Sequence, residues 1–240
     1  MKRTCTALIL ALLGATSAFA GTQSPPPEGA PCVALLHGLA RTDKSMWRMS
    51  YALSTAGYEV HNISYPSTSG VIEDLADAAI APVLSSCDAP VHFVTHSMGG
   101  ILLRSWVSRH GVDGIGRAVM LGPPNQGSDL VDTLEPIPGF AMLNGPAGLQ
   151  LGKGENSLPR ALGAYPAEVG IIAGTRSLNP IYSAMLDGPD DGKVSVQDTH
   201  MDGETDWISI ETTHTFMMMR DAVIDETLHF LESGAFTSTP

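Results

Sequence analysis

Basic residues are scarce in this sequence, 13 lysines and arginines against 25 aspartates and glutamates, for a formal charge of −12. A surface of that sign repels the phosphates of nucleic acid and of anionic lipid, and both are excluded as partners. Long hydrophobic runs are also lacking. The stretch from Ala7 to Leu13 is too short to span a bilayer, so no integral membrane segment is expected in the mature chain. No internal repeat is present, and cysteine occurs only three times.

What stands at the amino terminus explains part of this. Lys2 and Arg3, the apolar run and Ala18-Phe19-Ala20 follow the charged, hydrophobic and cleavage regions of a secretory signal peptide. Residues 1–20 are therefore expected to be removed, leaving a secreted or periplasmic chain that starts near Gly21 and carries a formal charge of −14 once Lys2 and Arg3 are gone. Cys5 leaves with the signal, and Cys32 and Cys87 remain as an even pair in an oxidising compartment, which predicts a disulfide over two free thiols.

A hydrophobic content of 43% with 16% charged residues describes one globular domain, residues 21–240. After a linker at Pro25 to Pro27, buried apolar runs alternate with amphipathic stretches, the pattern of a parallel sheet covered by helices. Strands are expected at Val33–Leu36, Tyr58–Ile63, Val91–Thr95, Ala118–Leu121, Val169–Ala173 and Trp207–Ile210. Helices are expected at Trp47–Ala56, Val71–Leu84, Ile101–His110 and Phe216–Leu231. The segment 123–166 is rich in glycine and proline without a strong period, and its length predicts a lid-like insertion of short helices. Trp47 and Trp106 fall at helix positions that predict core packing, as does Met217-Met218-Met219.

Thr95-His96-Ser97-Met98-Gly99-Gly100 lies where a strand gives way to a helix. A serine on that tight turn is lifted above the sheet edge as a nucleophile, and small residues beside it let helix and strand pass closely. Gly99 and Gly100 supply this on one side, while Thr95 stands where glycine is commonest. Acyl transfer also needs preorganised donors for the developing oxyanion; the amide after the nucleophile is that of Met98, and Leu39, after His37-Gly38, offers the second. A base and an orienting carboxylate should follow in the order serine, acid, histidine, and Asp191 and His214 keep that order. His200 precedes the last strand and His229 lies within a helix, so His214 is favoured; Asp191 is favoured over its neighbour Asp190, with Asp187 and Asp198 also near. His37 and His96 read as structural, shaping their turns through ring hydrogen bonds.

Leu35-Leu36-His37-Gly38-Leu39, the hexapeptide around Ser97, Gly122-Pro123-Pro124-Asn125-Gln126-Gly127-Ser128, Asp191-Gly192-Lys193-Val194 and Thr213-His214 together resemble bacterial lipases and esterases of the α/β-hydrolase fold, the triacylglycerol lipase group especially. The resemblance implies that Ser97 attacks an ester carbonyl, His214 takes and returns its proton, Asp191 fixes the imidazole tautomer, and Leu39 and Met98 form the oxyanion hole. It also implies a sheet reduced to about six parallel strands, because too few residues lie between Gly21 and Cys32 for two more, and it sets Cys32 and Cys87 at the same end of adjacent strands. An ester hydrolase acting on a small-molecule or lipid ester is the expected function. An amidase, thioesterase or acyltransferase with the same triad, or a non-catalytic binding protein on this fold, are the alternatives. No cofactor is expected, and no metal, since spaced oxygen ligands for calcium are not recognisable.

Overall fold

The computed structural model describes residues 26–155 and 157–237. The signal-peptide expectation for residues 1–20, with Cys5, lies outside them. Six parallel strands form one sheet in the order β2-β1-β3-β4-β5-β6: β1 Cys32–Leu36, β2 Glu59–Ile63, β3 Val91–His96, β4 Ile115–Leu121, β5 Val169–Gly174 and β6 Asp206–Ile210. The expected α/β architecture of about six strands is what the chain adopts.

The continuous apolar runs are explained by burial on both faces. Alternate residues of β1 serve different cores: Cys32, Ala34 and Leu36 face one layer, Val33 and Leu35 the other. The first layer is closed by α2 (Ile72–Ser86) and α3 (Met98–His110). Helix α2 presents Ile72, Leu75, Ala76, Ala79, Ile80 and Val83, a stripe of helical period. The second layer is closed by α1 (Trp47–Thr55) and α8 (Asp221–Ser233), through Met49, Leu53, Val223, Ile224, Phe230 and Leu231.

Two details differ from the sequence reading. Trp47 is not core: it is 55% exposed, because Met46, Met49 and Leu53 form the inward stripe of this segment and leave Trp47 and Tyr51, four residues apart, on the outer face. The closing helix is also broken, with a short 3-10 turn at Met217–Met219, an extended Arg220, and α8 beginning at Asp221. Met217 and Met218 are buried as expected, and Trp106 packs partly buried against the first core.

Between β4 and β5 the segment carries three short helices, α4 (Asp129–Leu134), α5 (Phe140–Leu149, kinked at Gly145) and α6 (Leu158–Ala161). Between β5 and β6 lies α7, Pro180–Ser183. Cys32 and Cys87 form a disulfide at the amino-terminal end of the sheet, with Cα atoms 6.4 Å apart across 55 residues of sequence. None of the helices among the described residues is long and apolar enough to cross a membrane.

Candidate active site

Strand register decides which loops meet. Leu36 of β1 pairs with Thr95 of β3, and His96 pairs with Leu121 of β4, so the chain leaves three adjacent strands side by side at His37–Leu39, Ser97 and Gly122. The Ser97 amide donates to the Leu121 carbonyl at 2.8 Å, holding the turn to the sheet edge. Ser97 itself adopts φ 55°, ψ −124°, and Ala40 φ 53°; among the described residues these are the only non-glycine positions with positive φ, and both line one cavity of about 360 Å³. Strain of this kind persists only where the surroundings over-determine it, and it gathers at functional sites.

The surroundings here are crowded. A Cβ on Gly99 would stand 2.4 Å from the Leu36 carbonyl oxygen, so α3 could not cross β1 at this distance with any larger residue. Thr95, in the position where glycine is commonest, is fully buried and fits beside Gly100.

Asp191 and His214 arrive from the loops before and after β6. Their side chains meet at 2.7 Å, Asp191 Oδ2 to His214 Nδ1, and both are almost completely buried. The other oxygen, Oδ1, accepts the amides of Lys193 at 3.0 Å and Val194 at 2.9 Å, which fixes the carboxylate's rotation. The His214 amide donates to the Asp191 carbonyl at 2.9 Å, so main chain and side chain are tied together. Asp190, the alternative acid, instead accepts from Ser183 Oγ and the Gly192 amide and shapes the turn. His200 lies away from the cavity, paired with Glu204 at 2.8 Å and stacked on Trp207.

Ser97 and His214 line the same cavity; among the described residues no hydrogen bond joins the serine hydroxyl to the imidazole. In resting enzymes such contacts commonly tighten only with substrate. The amides of Leu39 and Met98 likewise have no partner among the described residues, as the first N–H of a helix requires for Met98. With the Ser97 hydroxyl, the His214 imidazole and Leu39 on one cavity, the Asp191 carboxylate behind the imidazole and the Met98 amide directly after the serine, the arrangement can abstract a proton, attack a carbonyl and receive the resulting oxyanion.

The two turn histidines hold this geometry. His37 Nδ1 lies 2.9 Å from the Gly38 carbonyl, and its ring stacks on Tyr65 at 4.0 Å. Tyr65 OH donates to the His37 carbonyl, and burial raises its pKa far above the usual phenol range. His96 is wholly buried and reaches the His214 carbonyl through Nε2 at 2.9 Å. That contact requires a proton on Nε2, and burial, with the positive potential of His214 adding to it, lowers the His96 pKa well below its usual value. His96 is thus a neutral donor that positions the His214 backbone.

The packing roles of three further positions escaped the sequence reading, Gly122 having been noted only as part of the loop motif after its strand. Gly122, at φ +54°, gives room to the acid–histidine pair: a Cβ there would stand 3.0 Å from Asp191 Oδ2 and 3.2 Å from His214 Nδ1. Gly174 does the same behind Asp191, where a Cβ would come within 2.7 Å of the Asp191 Cβ. Arg104, buried in α3, donates to the Asn125 carbonyl at 3.0 Å, to Asn125 Oδ1 at 3.1 Å and to the Leu162 carbonyl at 2.9 Å, pinning the loop after β4. Burial lowers its pKa to about 10. A glycine directly after a strand was the signal available for Gly122; Arg104 gave none, because a basic residue in a helix is ordinarily solvated.

The model of the Alpha/beta hydrolase family matches residues 33–229. No curated relative matches the chain in sequence. Among solved structures, the mature form of Bacillus licheniformis lipase BlEst2 superposes with a TM-score of 0.71 at 19% identity, covering 87% of this chain and 96% of that one. The type II thioesterase BorB of the borrelidin biosynthetic cluster gives 0.57 at 17%, covering 87% and 94%. Phospholipase PlaB from Legionella pneumophila gives 0.56 at 19%, covering 71% and 45%. At such identities these likenesses concern the fold.

Proposed function

The chain belongs to the alpha/beta hydrolase family, and from that premise we propose that it hydrolyses carboxylic esters through an acyl-enzyme on Ser97. The observation that carries this reading is the buried 2.7 Å contact of Asp191 with His214, on the cavity that Ser97 also lines.

In the proposed reaction, His214 Nε2 removes the Ser97 proton while Asp191 holds the proton of Nδ1 and stabilises the imidazolium. Ser97 Oγ attacks the ester carbonyl, and the amides of Leu39 and Met98 take the oxyanion, a contribution of roughly 3 to 4 kcal/mol per donor in comparable sites. His214 then returns its proton to the departing alkoxide, and a water repeats the sequence on the acyl-enzyme. Apolar side chains of the 123–166 segment, among them Leu130, Leu134 and Phe140, line the cavity. This supports a lid role for that segment over an apolar part of the substrate. The disulfide and the amino-terminal sequence support export of the chain.

The test is hydrolysis of p-nitrophenyl esters of graded chain length by the wild type and by Ser97→Ala, together with capture of the protein by a fluorophosphonate probe. Turnover in the wild type and its loss in the variant, with the adduct on the Ser97 peptide, is the expected outcome. Equal turnover in both proteins would remove the proposal, and absence of an adduct would favour a non-catalytic binding role.

A further inference from the structure

The cavity beside Ser97 has the opposite charge to the protein around it. In a chain with 25 acidic and 13 basic residues, its walls carry Arg41 and Lys193 and no aspartate or glutamate at all. Asp191 lies behind the wall, its oxygens committed to His214 and to two backbone amides. Among the described residues neither Arg41 nor Lys193 has a side-chain hydrogen bond or ion pair. Among the described residues four other cations are ion-paired, Arg48 with Asp221, Arg109 with Asp77 at 2.7 Å, Arg117 with Glu168 at 3.0 Å, and Lys153 with Asp129 at 2.6 Å and Asp198 at 2.8 Å; Lys44, Arg104, Arg160, Arg176 and Arg220 are not, but none of these lines the cavity.

Resting on the hydrolase reading above, we infer that the substrate is a monomeric ester bearing an anionic group, a carboxylate or phosphate, which Arg41 and Lys193 receive while its apolar part enters the cavity. The placement fits the chemistry. Arg41 follows Leu39 by two residues and Lys193 follows Asp191 by two, and both line the cavity that Ser97 and His214 line. Two like charges on one cavity, neither ion-paired to a carboxylate, repel each other, and an arriving anion relieves that repulsion. The Lys193 ammonium registers this: its pKa is lowered first by burial and then by the Arg41 charge, with Asp191 opposing. A cleft of one sign with apolar walls also focuses its field and concentrates the matching ion. The acidic exterior, meanwhile, repels an anionic bilayer, which selects dissolved molecules over a lipid surface.

The experiment compares kcat/KM for matched ester pairs. On the acyl side these are the mono-p-nitrophenyl ester of adipate and p-nitrophenyl hexanoate; on the alcohol side, hexanoylglycerol phosphate and monohexanoylglycerol. The wild type is expected to prefer the anionic member of at least one pair by about tenfold or more, chiefly through KM, as charge-assisted contacts in a desolvated site imply. The pair that shows the preference tells which side of the ester carries the charge. In Arg41→Gln/Lys193→Gln the ratio should fall to about one, and in Lys193→Glu it should invert. Raising salt about tenfold should reduce the wild-type ratio. Melting temperature and fluorophosphonate labelling of each variant report folding and the Ser97 chemistry independently of charge. A labelled, folded wild type that shows no preference, or a preference that survives the double substitution, overturns the inference while leaving the hydrolase reading intact. A wild type that neither labels nor turns over any ester overturns both.

Discussion

At the carboxyl ends of the strands the chain turns through Ser97 and Ala40 with positive φ, through Gly99 and Gly174, where a Cβ would clash, and through Gly122, where it would crowd Asp191 and His214. The amino ends are held by different means. There the Cys32–Cys87 bridge closes a 55-residue separation, Arg117 joins Glu168 and the carbonyls of Leu231 and Glu232, and His92 accepts the Arg117 amide at 2.9 Å. One edge of the sheet stores strain and unpaired donors, the other holds cross-links and satisfied charges. On the proposed function, reactivity and stability should be alterable separately, each from its own edge.

The strongest test of that separation is at the reactive edge. Ser97→Ala should lower kcat by at least about 10⁴-fold, as loss of a triad nucleophile does elsewhere, while the melting temperature does not fall. Asp191→Asn should cost about 10⁴-fold in kcat, since an amide cannot hold the imidazole in the required tautomer. Loss of more than a degree or two of melting temperature in Ser97→Ala would blur the two edges.

At the opposite edge the expectation reverses. Replacing Cys87 with serine should cost roughly 4 kcal/mol by loop-closure entropy for a loop of this size, read as a lower denaturant midpoint. Ester turnover at 25 °C should persist in the fraction that remains folded. A catalytic defect in the folded variant would mean that the disulfide reaches the site.

Acid should weaken both edges together. Burial lowers the pKa of His96, His37 and His92 from the usual 6.5. Between the folded and unfolded values the unfolded chain binds more protons, so stability is complete above about pH 6.5 and declines as pH falls below it, by at most about 1.4 kcal/mol per pH unit for each group. Denaturation midpoints at pH 7 and 5.5 measure this, and His96→Gln should flatten the slope.

The smallest effect is expected beyond the reactive edge, in the inserted segment. Leu143 lines the cavity and is 69% exposed. Leu143→Ser should raise KM for long acyl chains a few-fold, the worth of one partly buried apolar contact, with kcat for short chains little altered.

How far the sequence disclosed this plan follows from the range of each signal. The strands and the Ser97 junction were legible because burial on both faces writes continuous apolar runs, and the turn demands small residues at 99 and 100. Strand β4 begins at Ile115, three residues before the expected start at Ala118, because Gly116 and Arg117 interrupt its apolar run. The choice between Asp191 and Asp190 depends on which carboxylate turns toward a histidine more than twenty residues away, which only the fold decides. Trp47 misled because hydrophobicity says nothing about which side of a short helix faces in. The cavity's charge inversion was invisible for the same reason, since Arg41 and Lys193 lie 152 residues apart in the chain and come together only as walls of one cavity.

The backbone of Ser97 has one more implication. A left-handed serine costs of the order of 1 to 3 kcal/mol that glycine would not. Mutation therefore has a downhill path at this codon: a lineage that no longer needed the hydroxyl would gain robustness by drifting to glycine there, while Gly99 beside it stayed fixed by packing. The serine that remains is a residue whose retention folding does not explain, and a glycine at position 97 of a related chain would mark one that has given up the hydroxyl.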